Sequence, residues 1–107
     1  MSAHNYRITL EYLGGKHAGS DKHAPLQFEV GNHDDLFDII ERGRSAGLTD
    51  PDEATALALG LKLFAEVMLK HRKDPLFATL QPAFAEFMPA FKQRMKDALQ
   101  GQPTPLT

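Results

Sequence analysis

Five histidines, fourteen carboxylates and no cysteine bound the chemistry open to this 107-residue chain. His17, Asp21 and His23 share one polar, glycine-rich stretch, residues 14–25. Two histidines six apart with an aspartate between them offer three ligands to zinc or nickel. The spacing matches no strong metal motif, and a glycine-rich segment does not hold ligands rigidly. Solvated loop histidines are the default reading, and no resident metal or other cofactor is expected. His33, Asp34 and Asp35 form a second cluster, just ahead of an apolar periodic segment. They have the types needed for acid–base work, but helix capping and the helix dipole explain both aspartates without it. No hydroxyl nucleophile is evident beside them. The string GGKHAGS, residues 14–20, fails as a phosphate loop because no lysine stands between Gly19, the pattern's second glycine, and Ser20, and a strand follows.

The one basic cluster is Lys70-His71-Arg72-Lys73. Cations at the end of a helix complement its dipole, which accounts for them without a partner. Recognition of nucleic acid usually takes a broader basic face with exposed aromatics, so Lys70, Arg72 and Lys73 are weak candidates only. A net charge of −2 gives no electrostatic reason to approach nucleic acid or an anionic membrane. The charge is unevenly spread, however. Residues 32–69 hold eight acids and three bases, whereas residues 70–107 hold six bases and three acids. Without cysteine, disulfides and thiolate chemistry are excluded and stability rests on packing. The lack of a signal-like N-terminus and of a long uncharged apolar run makes a cytoplasmic location the expectation.

Several elements must position these residues. A chain of this length can bury ~65% of its unfolded surface, enough for one core. Tyr6, Ile8, Leu10 and Tyr12 alternate with polar residues, as do Leu26, Phe28 and Val30, which predicts two antiparallel strands joined by a long mobile loop. A two-stranded ribbon is marginal alone, so helices are expected to cover one face. Asn32 is the expected N-cap of a first helix, with Leu36, Ile39, Ile40 and Gly43 on its inner side and Gly47 ending it in a left-handed conformation.

Asp50, Pro51 and Glu53 carry the clearest helix start, a cap, a first-turn proline and a capping box. That helix is expected to run to about Lys73. Its polar residues Thr55, Lys62, Glu66, Lys70 and Lys73 form a narrow stripe, which implies a helix enclosed on its other sides. Leu57, Leu61, Phe64 and Met68 are its expected core face, and Ala56 and Gly60 a smooth patch that another helix could approach. Asp74-Pro75 marks a further start, and Pro82 another. A last helix with Phe84, Phe87, Phe91, Met95 and Leu99 on one face would carry Pro89 on its solvent side, bent rather than broken. The prediction is therefore α+β: a two-stranded antiparallel ribbon followed by three or four helices, the second long and central. Residues 1–100 are expected to form one domain, and residues 101–107 a disordered tail.

The segments YRITLEYL, LQFEVGNHDDLFDIIERG, ALGLKLFAEVMLKHRKDPLF and LQPAFAEFM resemble a family of short bacterial proteins known only as a domain of unknown function. The resemblance spans most of residues 6–91 and is most specific at NHDDLF (32–37) and LGLKLFAEVMLKHRKDPLF (59–77). The loop at 14–25 and Pro89 depart from it. It implies a small bacterial α+β domain and brings no activity or catalytic residues. The leading expectation is a non-enzymatic binding or regulatory module acting as a homodimer, through ribbon edges or the Ala56/Gly60 patch, with an unknown protein partner also open. The alternative is a small enzyme or metal-binding protein using the loop histidines and His33-Asp34-Asp35.

Overall fold

The computed structural model describes residues 4–15 and 23–107, and these fall into two compact units, Met1–His33 and Asp34–Thr107. The first is a two-stranded antiparallel sheet of β1 (His4–Leu10) and β2 (Leu26–Asn32). Its register pairs Tyr6 with Val30, Ile8 with Phe28 and Leu10 with Leu26. Directly opposed residues share a face, so these six apolar side chains line one side of the ribbon. Arg7 and Glu29 oppose each other on the other side and join at 2.9 Å. Both are well exposed, so the bond is worth well under 1 kcal/mol and serves register more than stability. The expected long loop between the strands lies mostly outside the described residues.

The second unit is helical: α1 (Leu36–Ala46), α2 (Pro51–Lys70), α3 (Pro75–Ala78) and α4 (Gln81–Leu99). Asn32 does not cap α1. It is the last residue of β2, paired with His4, and its side chain is almost fully buried. The cap is Asp35, whose carboxylate accepts from the amides of Phe37 at 3.0 Å and Asp38 at 3.3 Å. The strand simply runs on to Asn32, and the first acid free to turn back on the new helix takes the role. Gly47 ends α1 at φ 67°, the left-handed region where a side chain would be strained.

Asp50 caps α2 as its sequence demands, accepting from the Glu53 amide at 2.9 Å, with Pro51 in the first turn. Glu53 accepts a hydrogen bond from the Thr49 hydroxyl. Asp50→Ala should therefore cost about 1 kcal/mol, read as a lower urea midpoint with an unchanged slope. An unchanged midpoint would mean that the cap contributes nothing. The helix stops at Lys70, short of the expected Lys73, and His71 donates its amide to the Val67 and Met68 carbonyls in a closing turn. Asp74 then caps α3 through the Leu76 amide at 2.9 Å, and the residue before Pro75 is disfavoured from helical geometry.

α1 crosses α2 at small residues. A methyl group added at Gly43 would sit 3.7 Å from both the Ala54 carbonyl oxygen and the Ala58 Cβ. Leu36, Gly43, Ala46, Leu48, Ala54, Ala58 and Met68 make up the buried seam. This overturns the expected core face of α2: only Met68 of the four named residues is buried, Leu57 and Leu61 are half-buried, and Phe64 is 41% exposed. α4 continues through Pro89, which is exposed, while Phe84, Phe91 and Met95 are half-buried. Phe64 meets Phe77 and Phe84 at ring-centre distances of 6.2 and 6.1 Å, tying α2 to α3 and α4. Beyond α4, Arg94 donates to the carbonyls of Thr104 at 2.8 Å and Pro105 at 2.9 Å, and the Leu106 amide donates to Leu48 at 2.8 Å.

Candidate functional site

The carboxylates next to His33 have structural tasks. Asp35 is the α1 cap, and Asp34 accepts from the Lys62 ammonium at 2.8 Å. The Lys62 side chain is only 18% exposed, so the pair is shielded from water on one side and joins the start of α1 to the middle of α2. Of the loop candidates, His17 and Asp21 lie outside the described residues. His23 packs edge-on against Tyr12 with ring centres 5.4 Å apart. Among the described residues, no three of His, Asp and Glu gather where a metal could sit. Lys70, Arg72 and Lys73 surround a shallow depression at the α2–α3 turn together with Asp74, and Gln81 donates to the Arg72 carbonyl at 3.3 Å.

From Thr55 to Glu66 the polar stripe of α2 is not its outer face; Lys70 and Lys73, at its end, are exposed. Arg44 of α1 donates to the Thr55 hydroxyl at 3.0 Å, Lys62 holds Asp34, and Glu66 is buried at 8% exposure. The side carrying Ala56, Gly60 and Val67 faces solvent, with Phe64 at its margin, partly covered by Phe77 and Phe84. Val67 is 51% exposed, and a methyl group built on Gly60 would meet open space. Helical spacing places these four residues in one band, smooth at Ala56 and Gly60 and bulky at Phe64 and Val67. A surface helix ordinarily turns its charges outward; α2 is inverted.

A groove of about 670 Å³ lies between α1 and α4, with Lys62 at its side. Ile39 forms one wall, and Met88, Phe91, Met95 and Leu99 of α4 form the other. Arg42, Lys62, Lys92 and Lys96 stand around it, with Asp34 as the one acid. No sequence pattern singles out this set. The available signal is that Lys92 and Lys96, four apart, run beside the apolar row at 88, 91, 95 and 99, and it becomes informative only once α1 is known to face that row.

The fold thus belongs to small α+β proteins in which a two-stranded ribbon precedes a four-helix unit and no helix among the described residues is long and apolar enough to cross a membrane. Residues 4–93 match the family described as a domain of unknown function, DUF3861, and the chain belongs to that family. A crystal structure of a protein of unknown function from Pectobacterium atrosepticum is similar to it, with 36% sequence identity and a TM-score of 0.73. The likeness covers 84% of this chain and 97% of that one. No curated protein matches the chain.

Proposed function

We propose that this protein acts by binding rather than catalysis, as a homodimer whose contact surface is the outer face of α2. The observation that carries this reading is the inversion of the middle of that helix: Lys62 and Glu66 point inward while Ala56, Gly60, Val67 and the part of Phe64 left open by Phe77 and Phe84 meet water. A contiguous apolar face on a small domain marks an interaction surface more often than chance exposure. A two-fold partner lets the same band serve both sides, and small residues at Ala56 and Gly60 allow helix axes to approach to ~8–10 Å. The ribbon adds apolar surface of its own. Leu10 is 65% exposed and Leu26 55%, and each strand of a two-membered sheet has one unpaired edge. Against catalysis stands the employment of the acids: Asp35, Asp50 and Asp74 cap helices and Asp34 holds Lys62.

Dimerisation couples stability to concentration. A tenfold rise in protein concentration favours the dimer by about 1.4 kcal/mol and should raise the melting temperature by several degrees. A melting temperature independent of concentration would remove this reading.

A further inference from the structure

We infer that the groove between α1 and α4 is a binding site for a single-chain amphiphile, an unbranched apolar chain ending in a carboxylate or phosphate. The floor and the rim ask for different things. Ile39, Met88, Phe91, Met95 and Leu99 offer a continuous apolar track. From Met88 to Leu99 it follows three turns of α4, roughly 16 Å. Methionine side chains adapt to flexible apolar chains at little cost, and two of the five are methionines.

The rim is cationic. Arg42 has Asp38 at 3.6 Å and Lys62 has Asp34 at 2.8 Å, but no ion pair among the described residues engages Lys92 or Lys96. Like charges four apart on a helix repel one another, and an anion lying between them converts that repulsion into attraction. Four cations against Asp34 and the Asp38 carboxylate paired with Arg42 leave the groove with an excess of two positive charges, those of Lys92 and Lys96, in a chain whose net charge is −2.

Volume decides the class of occupant. About 670 Å³ falls within the usual range for small-ligand sites. A helical segment of the same length, at ~10 Å diameter, would need roughly 1,300 Å³ and would leave about half of itself outside. The groove encloses a small amphiphile more fully than a docked helix.

Isothermal titration of the full chain with decanoate, decyl phosphate, decanol and inorganic phosphate tests this. Both amphiphilic anions should bind once per chain with Kd on the order of 10–100 μM, and decanol about tenfold more weakly. Inorganic phosphate should not bind measurably. The tighter of the two anions identifies the head group. The double variant Lys92→Gln/Lys96→Gln changes only exposed side chains and should weaken both anions about tenfold while leaving decanol unaffected. Non-saturating heats, equal anion affinity in the double variant, or phosphate binding as well as decyl phosphate would overturn the assignment. So would a double variant that sediments at a lower mass than the wild type, since the groove would then belong to a second copy.

Discussion

Leu36→Ala should lower the free energy of unfolding by ~2–5 kcal/mol, enough to unfold much of a marginally stable small protein at room temperature. Leu36 is 3% exposed at the first turn of α1, the helix that packs against both α2 and α4. Truncation leaves a void beside neighbours that cannot collapse into it, because the Asp35 cap and the Asp34–Lys62 pair fix the start of the helix on both sides. The adjacent Phe37 is the control. It is larger but 74% exposed, so Phe37→Ala should cost less than about 0.5 kcal/mol despite removing more atoms. Denaturation in urea separates the two. Equal losses would mean that α1 is rotated about its axis, with Phe37 turned toward the core.

Gly60→Glu should have two effects of opposite sign. Within one chain, glycine in the middle of a helix costs ~0.5–1 kcal/mol relative to a helix former, and a side chain at Gly60 meets open space, so the isolated chain should become more stable. At the proposed two-fold contact the same change sets two carboxylates close together on a surface that needs close approach. Like charges juxtaposed at an interface cost several kcal/mol, so self-association should weaken at least about 100-fold. Because the monomer gains stability, loss of association cannot be blamed on unfolding.

What the sequence made legible was whatever local chemistry dictates. Alternation gave both strands, and in the observed register their apolar residues share one face. Asp50-Pro51 and Asp74-Pro75 announce their helices because cap and proline act within one turn, and Gly47 ends α1 because only glycine enters the left-handed region without strain. The orientation of α2 was not legible. Its wheel shows a polar stripe and a broad apolar arc, and ordinary amphipathic logic turns the stripe to water. The stripe from Thr55 to Glu66 points inward because Lys62 meets Asp34, 28 residues away, and Thr55 meets Arg44 across the α1–α2 seam. Such pairings belong to tertiary structure. The cap of α1 is hidden for a related reason: an Asn near a helix start reads as a cap, but β2 extends to Asn32 and Asp35 is left to close the turn. The groove was hidden because its two walls come from α1 and α4, about fifty residues apart in sequence, and neither carries a motif by itself.

The most direct test of dimerisation through α2 is sedimentation equilibrium of the wild type and of Gly60→Glu at about 20 μM, a concentration at which a specific homodimer of ordinary affinity is well populated. The wild type should sediment at about twice the chain mass of 11.9 kDa and the variant at the chain mass itself. A wild type that runs as a single 11.9 kDa species, or a variant that remains dimeric, would contradict the assignment of the outer face of α2 as the contact surface.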